Sequence, residues 1–187
     1  MVSIVLKPGR EKSLLRHHPW IFSGAIETVE GDPHPGETVD LLTSGRDFLA
    51  FGAYSPHSQI RARVWTFQKD QPIDASFFRA RMEQAIGSRA ARPAGRESAF
   101  RLINVESDGL PGLVVDKYGE FLVCQFLSAG SEHWKDEILL QLQQLLSPAG
   151  IYERSDVEVR FKGGLEPRTG TLWGEPPPDL LQIQEGP

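Results

Sequence analysis

Cysteine is nearly missing from this sequence: Cys124 is the single thiol in 187 residues. That excludes an intramolecular disulfide framework and a thiolate zinc cluster. Lying in the apolar run Phe121-Leu-Val-Cys-Gln-Phe-Leu, Cys124 reads as an inert buried thiol and not as a nucleophile. Long apolar runs are also missing. None approaches the roughly 20 residues that span a bilayer, and the first 16 residues carry no secretory h-region or cleavage site. A cytoplasmic protein with no membrane partner is expected. There is no general excess of positive charge either, since the net charge is -5, which argues against a protein that is basic all over.

What charge there is lies unevenly. Lys7, Arg10, Lys12 and Arg16 stand against the single acid Glu11 at the amino end, whereas residues 69–187 hold 13 basic and 18 acidic side chains. A phosphate backbone would meet the chain first at that end.

Residues 1–68 read as short strands cut by turns: Ser3-Ile-Val-Leu-Lys, Gly24 to Glu30, Glu37 to Leu42, Asp47 to Tyr54 and Gln59 to Phe67. Many short strands at regular spacing imply a small barrel or sandwich. In the last of them alternation places Arg61, Arg63, Trp65 and Phe67 on one face. Such a face could hold RNA by charge and stacking, or it could be a domain seam with arginines laid over aromatics.

Pattern and composition both change at Lys69-Asp-Gln-Pro-Ile, which gives units at 1–70 and 71–187. Asp74 is expected to cap a helix over Ala75 to Ala91, with Phe77, Phe78, Arg81, Ala85 and Ile86 at helical spacing and Arg89, Arg92 and Arg96 trailing from it. Then come a strand at Phe100 to Val105, a turn, a hairpin over Leu113 to Tyr118 and Phe121 to Leu127, and a helix capped by Ser131. Strands near Ile151 to Arg154 and Gly170 to Gly174 complete a strand-strand-helix-strand-strand order, an α+β layer packing.

Three groups of residues suggest chemistry. Glu106 and Asp108 are spaced as a carboxylate pair, yet Asp108-Gly109 and Pro111-Gly112 are turn dipeptides, which favours a structural use. His17 and His18 are adjacent, so their rings diverge, and no ligand at metal spacing accompanies them. Gly163-Gly164 lacks the flanks of a dinucleotide fingerprint and reads as a loop. No strand leads through a Gly-rich turn into a helix in the way that seats an adenosyl cofactor. No catalytic residue, cofactor site or metal site is therefore assigned.

Longer stretches carry more weight than these short patterns. Pro8-Gly-Arg-Glu-Lys-Ser-Leu-Leu-Arg-His-His-Pro-Trp-Ile-Phe-Ser-Gly-Ala, Gly52-Ala-Tyr-Ser-Pro-His-Ser-Gln-Ile-Arg-Ala-Arg-Val-Trp-Thr-Phe, Glu106-Ser-Asp-Gly-Leu-Pro-Gly-Leu-Val-Val-Asp and Tyr152-Glu-Arg-Ser-Asp-Val-Glu-Val-Arg resemble the large-subunit ribosomal RNA cytosine-5 methyltransferase family called methyltransferase I, and the likeness covers essentially the whole chain. The resemblance implies an N-terminal PUA domain, a small RNA-binding pseudobarrel, then a central α+β domain. It also implies a Rossmann-like methyltransferase domain that is absent from this chain and would follow Pro187. S-adenosylmethionine and the family's cysteine nucleophile would belong to that missing domain, and Cys124 does not inherit the role. These 187 residues are then expected to recognise ribosomal RNA without catalysing its methylation.

Where charge, motif and expected exposure agree, the RNA contacts are Lys7, Arg10, Lys12, Arg16 and His17. The cations would neutralise phosphates and His17 would stack on or donate to a base or ribose edge. Trp20 and Phe22 are expected as core staples of the barrel, with stacking on RNA the other reading. The alternative function is a scaffolding module that packs on a catalytic domain or partner without binding RNA, motivated by the acidic second unit and marked by an exposed apolar patch. A homodimer is left open.

Overall fold

Residues 2–89 and 98–183 are described in a computed structural model. Short strands rich in apolar residues build a six-stranded sheet from β1 (Ser3–Leu6), β2 (Trp20–Phe22), β3 (Ile26–Glu30), β4 (Thr38–Leu42), β5 (Phe48–Tyr54) and β6 (Ile60–Thr66), in the order β2-β6-β5-β4-β1-β3. All neighbours are antiparallel except β1 and β4. Register shifts at Val5/Leu6, Ile21/Phe22, Leu41/Leu42 and Phe51/Gly52 mark bulges or irregularities that increase the local twist. The sheet curls into a half-barrel around Ile4, Leu6, Leu14, Ile21, Val39, Leu41, Ala50, Ala62 and Val64.

Two elements of this unit escape the sequence reading. The one-turn helix α1 (Lys12–Leu15) buries Leu14, and β2 pairs along β6 through Trp20↔Arg63 and Ile21↔Ala62. Both are too short to show a period. Phe22 also departs from its expected place in the core. It stands on the edge strand, where the shift at Ile21/Phe22 interrupts the alternation, and is 48% exposed.

The α2 helix (Ala75–Ser88) begins where Asp74 accepts hydrogen bonds from the backbone N–H groups of Ser76 and Phe77. The Ser76 hydroxyl and then the Phe77 amide hold the Asp74 carboxyl below its ordinary range. Phe77, Phe78, Met82 and Ala85 form its buried face. The expected continuation to Ala91, with Arg92 and Arg96, lies outside the described residues.

A second sheet holds β7 (Ala99–Asn104), β8 (Leu113–Tyr118), β9 (Phe121–Phe126), β10 (Gly150–Ser155) and β11 (Arg168–Gly174) in the order β11-β10-β9-β8-β7. A crossover through α3 (Ala129–His133) and α4 (Lys135–Leu146) makes β9 and β10 parallel. The cap of α3 is Ser128, whose hydroxyl accepts from the Ser131 N–H, while the Ser131 hydroxyl accepts from the Ser128 N–H. The expected cap, Ser131, is thus the third residue of a reciprocal capping box. A short α5 (Glu158–Lys162) precedes β11, so the expected strand-strand-helix-strand-strand order is departed from twice: three strands stand before the crossover helices, and a helix lies between the last two strands. The architecture is a PUA-like pseudobarrel followed by a small α+β layer. No helix among the described residues is long and apolar enough to cross a membrane.

Candidate nucleic-acid interface

The polypeptide from Lys7 to His17 leaves β1, turns at Gly9, forms α1 and ends with His17 in the left-handed region at φ 60. Lys7, Arg10, Lys12, Arg16 and His17 are all exposed. Lys7 donates to the Gly24 carbonyl at 3.2 Å, and none of the four cations has a carboxylate partner among the described residues. Elsewhere pairing is the rule: Arg46 with Glu30, Arg63 with Glu106, Arg89 with Asp108, Arg101 with Asp116 and Lys135 with Glu153. An unpaired exposed cation keeps its full charge for a phosphate. The five residues expected from the sequence therefore share one exposed segment.

The two histidines do diverge. His17 stacks on Phe67 with ring centroids 4.6 Å apart and planes at 16°, whereas His18 meets the edge of Trp20 and its Nδ1 accepts from the Trp20 N–H. Among the described residues there is no cluster of histidine, cysteine and carboxylate side chains that could hold a metal.

Beside this segment runs the seam between the sheets. Glu106 Oε1 accepts from Trp20 Nε1 and from Arg63 Nη1, each at 2.7 Å, and Arg63 lies 5.3 Å over the Trp20 ring. Trp65 turns away from the half-barrel to pack edge-on against Phe77 and Phe78 in the larger core. Of the two readings of the arginine and aromatic face, Arg63 and Trp65 follow the seam. The role of Glu106 escaped the sequence reading, because its partners are 43 and 86 positions away. Asp108 behaves as turn chemistry suggests: it accepts from the Asn104 N–H and pairs with Arg89.

The crossover between β9 and β10 brings a helix N-terminus to a strand end, the usual place for an anionic ligand. Here that end is filled. A Cβ on Gly130 would come within 2.4 Å of Ala53 and 2.8 Å of Trp65, and Ser128 and Ser131 satisfy each other. Cys124 is fully buried, and burial pushes its thiol pKa up, away from the nucleophilic thiolate.

The PUA-like domain family matches residues 4–67. Ribosomal RNA large subunit methyltransferase I of Tolumonas auensis is 51% identical over 184 residues, which is 98% of this chain and 46% of that protein. The proteins of the same name from Klebsiella pneumoniae and Escherichia coli are 53% and 52% identical, again over 97% and 98% of this chain. Among solved structures, a provisionally assigned SAM-dependent methyltransferase from Streptococcus mutans superposes with a TM-score of 0.77 at 21% identity, covering 96% of this chain and 45% of that one. A second, described as complexed with SAH, gives 0.78. The chain is thus related over nearly its whole length to the amino-terminal part of these methyltransferases and spans about 46% of the length of the first relative named.

Proposed function

We propose that this chain is the RNA-recognition portion of a SAM-dependent methyltransferase acting on cytosine C5 of large-subunit ribosomal RNA, working in the cytoplasm. Residues 1–70 would form the RNA-binding unit and residues 71–187 the central unit that carries it. The observation behind this reading is the exposed segment in which Lys7, Arg10, Lys12 and Arg16 have no acidic partner among the described residues, while most other cations are paired. S-adenosylmethionine, when bound by the full-length protein, supplies the methyl group. The residues of this chain would hold the RNA backbone, present His17 to a base or ribose edge, and fix the orientation of the strand.

The test is a titration of labelled ribosomal RNA fragments at several salt concentrations. Binding should weaken steeply with salt. Replacing the four cations by glutamine should reduce the log-log salt slope by up to about 3, since each single-strand phosphate no longer neutralised accounts for about 0.7. A quadruple variant that binds as the parent does would remove the segment from the interface.

A second reading has its own observation. Val157, Val159 and Phe161, in and beside α5, are exposed, Phe161 to 70%. Such an apolar stretch suits packing against another domain of the full-length protein. It accounts for α5 and leaves the basic segment to RNA.

A further inference from the structure

We propose that the cleft at the seam, bounded by His17, Phe67, Arg81 and Glu106, is a pocket for one unstacked RNA base carrying an exocyclic amino group. This rests on the RNA-binding reading and extends it from phosphate contacts to base recognition.

The cleft has a volume of about 410 Å³, within the range of small-ligand sites. His17, the exposed last residue of the basic segment, lines it, so a strand held along Lys7 to Arg16 arrives there. The His17 ring is supported by Phe67 yet exposed, which makes it a platform of the kind on which single-stranded bases stack.

Arg81 lines the same cleft and is the exception among its kind. Every other described arginine beyond Gln68 has a carboxylate within 4.0 Å, while Arg81 has none among the described residues. Its guanidinium sits 5.2 Å over Phe77 and its buried Nε has no acceptor. The terminal guanidinium nitrogens of Arg81, which no carboxylate neutralises among the described residues, are left to meet an acceptor on a ligand in the cleft.

Glu106 supplies the opposite polarity. Its Oε1 is occupied by Trp20 and Arg63, but Oε2 accepts no hydrogen bond among the described residues. A free carboxylate oxygen accepts from an amino N–H, and beside Arg81 it matches a base that offers both an amino donor and a ring or carbonyl acceptor. Cytosine, adenine and guanine do so, whereas uracil has no amino group.

The backbone around the cleft is also unusual. His17 and Val105, the latter a β-branched residue at φ 39 immediately before Glu106, both lie at positive φ. Such conformations persist where the surroundings enforce them, and they collect at binding sites.

Fluorescence polarisation with labelled oligocytidine, oligoadenosine and oligouridine 12-mers at low salt tests the assignment, using the parent chain, Arg81→Gln and His17→Ala. The parent should bind the cytidine and adenosine strands about tenfold more tightly than the uridine strand. Either substitution should bring the three level. If thermal melting shows Arg81→Gln to be unfolded, His17→Ala, changed at the surface, carries the test. Absence of binding to any oligomer by the parent would overturn the RNA reading itself. Equal affinities in the parent, or a preference that survives in the folded variants, would overturn the pocket while leaving RNA on the basic segment. Free cytidine monophosphate competing as well as the oligocytidine strand would overturn the assignment to RNA.

Discussion

Glu106 holds the two sheets together with one carboxylate oxygen. With side-chain exposures of 14% for Arg63 and 18% for Glu106, the pair is largely out of water, where removing one charged partner strands the other. Glu106→Ala should lower the unfolding free energy by roughly 2 to 3 kcal/mol, measured by urea denaturation, and in an Arg63→Ala background the same change should cost clearly less. An unchanged cost would mean that the two residues are not coupled. Nothing local in the sequence announces this role. Glu106-Ser-Asp-Gly reads as a turn, and a turn it is, but the partner of its first residue is fixed by how two distant sheets meet. Arg81 was legible as a helix residue and no more, since whether an arginine finds an acid is a property of the assembled fold.

Elements were legible in proportion to their length. β3, β4, β5 and β6, the start of α2 and the hairpin of β8 and β9 follow from periodic spacing and turn residues, because each spans enough positions to show its period, while β1 shows as a short apolar run. α1, β2 and α5 have three to five residues and show none. The helix α3 shows a different limit. Ser128 and Ser131 are both good caps by type, and the choice between them is made by packing: α3 starts early enough for Gly130 to press on Ala53 and Trp65. Gly130→Ala forces a methyl group against those side chains and should destabilise by about 1 to 3 kcal/mol, read as a shifted urea midpoint. A neutral result would show that the two sheets can part slightly at no cost.

At the scale of the whole molecule, the two sheets are distinct in topology but not in core. Ala53 and Trp65, from β5 and β6, belong to the cluster built by α2, α4 and the second sheet. Far-UV circular dichroism and tryptophan fluorescence should therefore report one coincident transition in urea. Two separate midpoints would mean that residues 1–70 and 71–187 unfold independently. A shared core also gives the seam a fixed geometry, so a strand bound along the basic segment would be presented to whatever lies beyond β11 at a set angle.

The clasp of Trp20, Arg63 and Glu106 has a consequence in time as well as in energy. Its longest link joins residues 86 positions apart, and closing a loop of that length in an unordered chain costs on the order of 4 kcal/mol, more than the clasp returns. It can close only after both sheets have formed, so it does little to hasten folding. A contact made that late is absent from the barrier crossed on the way in and must be broken on the way out, so its strength appears as the lifetime of the native state.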